Sequence, residues 1–167
     1  DERDLMPVIL KFFYKSNPSH HHIARFKREY AIAQRLCHPN ISRPLALTHH
    51  DAYWVMIMED QHGQSLNQHP QLKQSRPIDL ASFYDIALQL CAALQLIHQH
   101  KIIHKDINPA NLCWNETTRQ LQVIDFGVAS ELGQESPLIQ HPRTIEGTLA
   151  YMSPEQVKGY QRNRKTD

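Results

Sequence analysis

Two aspartates and an asparagine stand where their side-chain oxygens could do chemistry. Asp106 and Asn111 lie close together in the segment 103–111, and Asp125 comes soon afterwards, behind a strand-like apolar pair. A carboxylate can accept the proton of an attacking hydroxyl group, and carboxylate and amide oxygens are ligands that Mg²⁺ prefers. These three residues are therefore the first candidates for an active site.

Both aspartates also have interpretations without chemistry. Asp106 could be a turn carboxylate ahead of Pro109, and Asp125 could form an Asx turn at the end of a strand. Either interpretation is adequate for one residue considered alone. Because neither accounts for both aspartates together with Asn111 at this spacing, we favour the chemical role.

A lysine interrupts an apolar, β-branched segment near the start of the chain. Residues 8–13 predict a strand with Ile9, Lys11 and Phe13 on one face. Burying an ammonium group is costly unless it meets an anion. Lys11 is therefore predicted to have a negatively charged partner.

The elements that position these residues follow from the spacing of apolar side chains. Predicted strands come early and helices later, which favours a two-part α+β layout. The predicted elements are a strand at 8–13, a turn at 17–19, an amphipathic helix from Ile23 to Cys37, a hairpin of 45–48 and 53–58, a polar loop at 63–77, a long helix from Leu80 to Ile97, and a hairpin of 112–114 and 121–124.

The long helix carries the clearest local signals. Asp79 is placed as its N-cap, and Ile78 and Phe83 are spaced as a hydrophobic staple. Apolar residues at three- and four-residue steps predict the face that packs into the core. They are Leu80, Phe83, Ala87, Leu90, Leu94 and Ile97.

Composition limits the classes of function. With 18 basic and 17 acidic side chains the formal charge is +1, which gives no electrostatic case for binding nucleic acid or an anionic membrane. No uncharged apolar run approaches the ~20 residues that span a bilayer. The cysteines are far apart and the histidines at 20–22 lie in a polar loop, so we expect reduced thiols, no zinc site and a cytoplasmic protein.

The order and spacing of four motifs resemble those of the eukaryotic-like protein kinases. The motifs are His104-Lys105-Asp106-Ile107-Asn108-Pro109-Ala110-Asn111, Asp125-Phe126-Gly127, Gly147-Thr148 and Ser153-Pro154-Glu155. The resemblance implies a two-lobed α+β kinase fold, incomplete here. Residues 1–60 would form a small lobe without its Gly-rich loop, and 61–167 the large lobe through the activation segment. We expect such a piece by itself to be poorly stable and to have little activity.

The resemblance assigns roles to the motif residues. Asp106 would take the proton of the acceptor hydroxyl, and Asn111 and Asp125 would hold Mg²⁺ bound to ATP. In the family, Thr148 bridges toward the catalytic aspartate and Glu155 ends the activation segment. Catalysis would then consist of positioning and charge neutralisation, as a loose phosphoryl-transfer transition state requires.

Three charged residues outside these motifs also match family positions. Lys11 would contact the α- and β-phosphates of ATP and pair with Glu29 on the first helix. A surface pair of Glu29 with Arg25, worth ~0.2–0.5 kcal/mol in its poorer orientation, is the simpler alternative for that glutamate. Asp167 matches an aspartate that braces the backbone of the catalytic loop.

The adenine pocket is implied by the same resemblance. Ile9 would form its roof in place of the usual alanine, and Cys113 its floor. Met58 would be the gatekeeper that precedes the hinge between the lobes. The Glu59 carbonyl and the Gln61 amide would contact adenine through the backbone, a role that their side chains hardly constrain.

Two further residues depart from the usual kinase pattern. Lys105 stands in place of an arginine, and lysine lacks the planar fork that clamps a phosphorylated activation loop. We therefore expect activity without phosphorylation of Ser130, Ser136 or Thr144. Asn108 stands where Ser/Thr kinases usually have a lysine near the γ-phosphate, and loss of such a donor can cost ~10²–10³ in rate.

A finer similarity links segments 104–111 and 146–156 to bacterial signalling proteins in which a Ser/Thr kinase precedes an ATPase module and a sensor histidine kinase. The expected partners are ATP, Mg²⁺, a protein substrate and fused signalling domains. Two alternatives are a pseudokinase that binds nucleotide or scaffolds partners, and a small-molecule phosphotransferase. The segment 153–155, typical of protein kinases, disfavours the second alternative.

Overall fold

The computed structural model describes residues 6–13, 19–51, 53–74, 76–132, 147–158 and 163–167. The turn predicted at 17–19 lies partly outside these ranges, and Ser136 and Thr144 lie wholly outside them. The helices and strands are β1 (Val8–Phe13), α1 (His20–Arg35), β2 (Pro44–His50), β3 (Tyr53–Glu59), β4 (Gln64–Ser65), α2 (Pro70–Lys73), α3 (Leu80–Gln99), β5 (Ile102–Ile103), β6 (Leu112–Asn115), β7 (Gln120–Val123), β8 (Ser130–Glu131) and α4 (Pro154–Val157).

The first strands form an antiparallel sheet in the order β1-β3-β2, which confirms the predicted strand and hairpin. In its register Lys11 stands opposite Met56, and Ile9 opposite Met58. Residues opposite each other in an antiparallel pair share one face. The Phe13 ring, on the same face as Lys11, lies 5.5 Å from the Phe26 ring of α1. This face of the sheet therefore looks toward α1.

The helix α1 packs one side inward and carries a glutamate on that side. Its buried residues are Phe26, Glu29, Ile32 and Ala33. The helix begins at His20, earlier than predicted, and ends at Arg35. Cys37 lies beyond the helix and is exposed, because the chain leaves the helical conformation before Pro39.

The long helix α3 is confirmed, with a correction to the face that it buries. The Asp79 carboxylate accepts a hydrogen bond of 2.9 Å from the Ser82 amide, as expected of the N-cap. Leu80 and Phe83, predicted to be core residues, are 67% and 53% exposed. The helix is apolar around most of its circumference, so periodicity alone does not select the buried face. The residues that are buried are Ser82, Ile86, Ala93 and Ile97.

By length and composition α3 is also long and apolar enough to cross a membrane, contrary to the expectation from the sequence. One such helix is weak evidence, since core helices of soluble proteins pass the same test. The observed contacts of α3 are with β5 and β7. Ile86, Ala93 and Ile97 belong to the main hydrophobic cluster.

The predicted hairpin of β6 and β7 is confirmed, and β4 extends it to a three-stranded sheet. The polar loop predicted at 63–77 is therefore partly wrong. It contains β4, a 3₁₀ turn at Leu66–Gln68 and the short helix α2. Gly63 allows the close approach here, because a Cβ atom at that position would lie 3.3 Å from the Cβ of Cys113.

The segment after α1 fastens the small sheet and its helix to the larger part of the chain. The Asn40 side chain donates to Gln89 of α3 at 2.6 Å and to the Leu121 carbonyl at 2.9 Å. Ile41 forms a bridge with Val123 at the end of β7. Since Asp125 lies two residues beyond the end of β7, these contacts set the position of α1 relative to Asp125.

Candidate active site

An ammonium group joins three elements at the centre of the candidate site. The Lys11 Nζ atom of β1 lies 2.5 Å from Glu29 Oε1 of α1 and 3.0 Å from Asp125 Oδ1 after β7. The predicted Lys11–Glu29 pair is therefore present, and the alternative surface pair with Arg25 is not its explanation. Asp125, predicted as a metal ligand, meets the same ammonium group.

Burial and charge act in opposite directions on these three groups. Burial favours the neutral amine of Lys11, but the Glu29 and Asp125 carboxylates outweigh it and raise the pKa of Lys11. Burial raises the pKa of Glu29, and Lys11 offsets this only in part. The pKa of Asp125 is lowered, since Lys11 and the Gly127 amide outweigh the effect of burial. Asp125 is thus held as a carboxylate, the form that binds a cation.

The Asp125 side chain lies close against Gly127. Asp125 adopts a left-handed conformation with φ 63°, and its Oδ1 accepts a hydrogen bond of 3.0 Å from the Gly127 amide. A Cβ atom at Gly127 would lie 2.9 Å from the same oxygen. The Arg25 Nε atom of α1 also donates to the Gly127 carbonyl at 2.6 Å. Arg25 thus ties α1 to this turn, a role that its sequence position did not reveal.

A buried histidine and phenylalanine support the site from inside. Phe126 is buried, and its ring meets His104 edge-on with 4.8 Å between centroids. The His104 Nε2 atom lies 3.2 Å from the Ile124 carbonyl. Burial lowers the pKa of His104, so the imidazole is neutral in this apolar setting.

The candidate base is held by two hydrogen bonds to its carboxylate. Asp106 Oδ1 accepts from the Thr148 amide at 2.7 Å, and Oδ2 accepts from Asn111 Nδ2 at 2.9 Å. The same Asn111 nitrogen donates to the Asp106 carbonyl at 2.8 Å. Both amide protons of Asn111 are thus directed at Asp106, and its Oδ1 is the atom suited to a cation.

Asn108 forms structural hydrogen bonds at the position where the resemblance implies a lysine. Its Nδ2 donates to the Thr148 hydroxyl at 3.0 Å and to the Asp106 carbonyl at 3.1 Å. Its Oδ1 accepts from the Ala110 amide at 2.8 Å. Every polar atom of this buried side chain has a partner, so Asn108 connects the catalytic loop to the Thr148 segment without bringing a charge.

The far end of the described chain braces the catalytic loop, as predicted for Asp167. Its carboxylate accepts from the amides of His104 and Lys105 at 2.9 and 2.7 Å. His98 of α3 lies 2.9 Å from the same carboxylate, a contact that the sequence had not suggested. Glu155 accepts a hydrogen bond of 2.9 Å from the Thr166 hydroxyl.

Four of the residues predicted to surround adenine lie on β1, β3 and β6, and the fifth, Gln61, follows β3. Ile9 faces Met58 across the β1–β3 pair, and Glu59 stands opposite Val8. The Gln61 carbonyl accepts a hydrogen bond of 2.7 Å from the Asn115 side chain, which fixes the backbone that follows Glu59. Cys113 is half-buried, and burial and the nearby Asp60 charge raise the pKa of its thiol. The thiol is therefore protonated, as suits a small apolar floor.

The donor set fits a magnesium–nucleotide complex. In the described part of the chain no group of three or more His, Cys, Asp or Glu residues could hold a metal ion by itself. Mg²⁺ is commonly held by one or two protein oxygens together with substrate phosphates and water. Asp125 and Asn111 would supply those oxygens, and Lys11 would meet phosphate. Bound Mg²⁺ would neutralise the charge of the phosphates.

These contacts bring a strand lysine, a helix glutamate and the aspartate after β7 together in the arrangement that the resemblance to protein kinases implies. A comparison with protein families matches the protein kinase domain over residues 2–167. The chain belongs to the protein kinase family. The predicted α+β kinase fold, represented in part, is thereby confirmed.

Individual kinases from bacteria and animals are similar to the chain. It is 31% identical to the serine/threonine-protein kinase PrkC of Bacillus subtilis over 99% of the chain and 24% of that protein. It is 31% identical to the probable serine/threonine-protein kinase PknB of Lactococcus lactis over 82% of the chain and 21% of that protein. It is 29% identical to the rat mitogen-activated protein kinase kinase kinase 1 over 87% of the chain and 10% of that protein. The chain thus spans less than a quarter of the length of these relatives.

Proposed function

We propose that the chain supplies catalytic residues of a protein serine/threonine kinase that uses ATP and Mg²⁺. The observation that carries the proposal is the contact of Lys11 with both Glu29 and Asp125. It joins the sheet, the helix and the metal-ligand turn in the arrangement that phosphoryl transfer requires. The named Ser/Thr kinases among the relatives support hydroxyl groups of serine or threonine as acceptors.

Each contact in the site has a task in this reaction. The acceptor oxygen forms a bond to the γ-phosphorus, the bond to the β-γ bridging oxygen breaks, and ADP leaves. Asp106, held by Thr148 and Asn111, receives the hydroxyl proton. Lys11 contacts the phosphates that stay on ADP, and Glu29 keeps its ammonium group in place.

Organisation and context are part of the proposal. Residues 1–60 act as small lobe and 61–167 as large lobe through the activation segment. The protein works in the cytoplasm. The sequences of segments 104–111 and 146–156 support fusion to an ATPase module and a sensor histidine kinase. The substrate would be a protein of the same signalling system.

Transfer of radiolabel from γ-labelled ATP by the full-length protein tests the function. Wild type should label itself or added Ser/Thr peptides and leave Tyr peptides and small alcohols unlabelled. Asp106→Asn should lose ~10²–10⁴ in rate because the base is gone. Asp51→Asn, at an exposed turn carboxylate, is the control and should match wild type.

A pseudokinase gives a different result in the same assay. It would bind ATP, transfer no label, and respond equally to both substitutions. The presence of Lys11, Glu29, Asp106, Asn111 and Asp125 favours the active enzyme, since pseudokinases usually lack one or more of these groups. Labelling of small alcohols and not of peptides would favour the small-molecule phosphotransferase.

A further inference from the structure

A buried glutamine connects the short helix α4 to the residue next to the candidate base. Gln156 is 4% exposed. Its Nε2 donates to the Lys105 carbonyl at 2.7 Å, and its Oε1 accepts from the Ser153 amide at 3.1 Å and the Ser153 hydroxyl at 3.3 Å. One side chain thus caps α4 and holds the peptide that leads into Asp106.

The Lys105 peptide is in a conformation that needs such support. Lys105 adopts a left-handed φ of 71°, which costs free energy for a residue with a side chain. Its amide is held by the Asp167 carboxylate and its carbonyl by Gln156. A Cβ atom at Gly147 would lie 3.1 Å from the same carbonyl. The orientation of this peptide sets the direction in which Asp106 leaves the backbone.

We propose that Gln156 is a positioning residue that aligns Asp106 through the Lys105 carbonyl. The inference rests on the proposed function. Because Gln156 lies on α4, the docking of α4 against the catalytic loop adds a hydrogen bond to the contacts that already hold the Asp106 carboxylate.

The spacing of the contacts separates this role from that of ATP binding. Gln156 contacts Lys105 and Ser153, whereas the ammonium group of Lys11 meets Glu29 and Asp125. Loss of the Gln156 bond should therefore lower kcat and leave the dissociation constant of MgATP unchanged. A misplacement of the base of about 1 Å can cost ~10²-fold in rate.

The substitution Gln156→Glu tests the role in the full-length protein. The Glu carboxylate can still accept the hydrogen bond from the Ser153 amide. When ionised, however, it has no proton to donate to the Lys105 carbonyl. The kcat should fall about tenfold to a hundredfold at pH 8. As the pH falls the buried carboxyl gains a proton, donates it to the Lys105 carbonyl, and the ratio of mutant to wild-type kcat should rise.

Two further variants control for a merely structural effect. Ser153→Ala removes the hydroxyl contact but keeps the Lys105 bond, so its kcat should stay close to wild type. Gln156→Met has similar length and no hydrogen bond, so it should show the loss without any recovery at lower pH. An equal loss of kcat in Ser153→Ala and Gln156→Glu would overturn the inference. A ratio of Gln156→Glu to wild-type kcat that does not change with pH would overturn it too.

Limited trypsin digestion reports the same bond without catalysis. Lys105 is 7% exposed, and cleavage after it should be faster in Gln156→Met than in wild type and Ser153→Ala. If wild type transfers no phosphate, the proposed function fails while the digestion still decides the Gln156 contact. Equal cleavage rates in wild type and Gln156→Met, with melting temperatures showing both folded, would overturn that contact.

Discussion

At the scale of single residues, Asn108 is the departure from the kinase pattern with the clearest contacts. The amide joins the Thr148 hydroxyl and the Asp106 carbonyl while it caps the Ala110 amide. Asn108→Ala removes both donors together with the cap and adds no charge. We expect it to lower kcat for a protein acceptor and to leave MgATP binding intact.

A double-mutant cycle with Thr148→Val isolates the bond between the two side chains. A neutral hydrogen bond contributes about 0.5–1.5 kcal/mol. The loss of transition-state stabilisation in the double variant should therefore be smaller than the sum of the two single losses by about that amount. Steady-state kinetics of the four proteins measure the coupling. Strictly additive losses would show that Asn108 acts through another contact.

Glu29 gives a second prediction at the residue scale, with a defined sign in pH. Its pKa is raised in the folded protein because burial outweighs the attraction of Lys11, so ionised Glu29 costs stability at neutral pH. That cost is relieved as the pH falls through the raised pKa. Glu29→Gln should therefore melt at the same or a higher temperature than wild type at pH 7, yet phosphorylate more slowly.

Thermal denaturation at pH 7 and at pH 5 checks the sign. Acidification should raise the melting temperature of wild type relative to that of Glu29→Gln. A wild type that loses stability relative to the variant as the pH falls would mean that the folded pKa of Glu29 is depressed, contrary to this account. The kinetic loss comes from Lys11, which would keep only Asp125 as an ionised partner.

At the residue scale, sequence reasoning found groups whose chemistry is explicit in the side chain. Lys11, Asp106 and Asp125 could be predicted from charge type and spacing. Arg25 and Gln156 could not, because their partners are the backbone carbonyls of Gly127 and Lys105. Backbone partners leave no complementary residue type in the sequence.

At the scale of elements, the hydrogen bonds of Gln89 hold α3 to both neighbouring segments. Its Oε1 accepts from the Asn40 side chain at 2.6 Å and the Leu121 amide at 2.9 Å, and its Nε2 donates to the Arg119 carbonyl at 2.9 Å. Gln89→Leu would leave these groups without their partner. Each buried polar group left unsatisfied costs about 1–3 kcal/mol.

Denaturant unfolding of Gln89→Leu should show a free energy of unfolding that is lower than that of wild type by at least about 1–3 kcal/mol. Gln95→Leu is the matched control, since Gln95 lies on the same helix and is exposed. It should change the free energy of unfolding by less than about 0.5 kcal/mol. Equal stability of the two variants would contradict the role of Gln89 in joining the elements.

The elements themselves were predicted where the local sequence carries a clear signal. A β-branched and aromatic run gave β1, two runs that flank a polar turn gave the β2–β3 hairpin, and the Asp79 cap gave the start of α3. The buried face of α3 was misassigned at Leu80 and Phe83, because apolar side chains surround the helix, but Ile97 is buried as predicted. The short strand β4 was missed since its two residues, Gln64 and Ser65, are polar and pair through the backbone alone.

At the scale of the whole molecule, the site exists because separate parts of the chain converge. The tie of Asn40 to α3 and β7 fixes α1 against the turn that carries Asp125. The order of motifs could predict this convergence through a resemblance to kinases. It could not supply the distances, which depend on packing in the shared hydrophobic cluster.

Binding of ATP by the full-length protein with and without Mg²⁺ tests the central claim most directly. The Asp125→Asn variant should lose the Mg²⁺-dependent part of the affinity, and Lys11→Met should weaken binding in both conditions. Asp51→Asn should behave as wild type. If affinity were the same in all four proteins and indifferent to Mg²⁺, Lys11 and Asp125 would not share a nucleotide site.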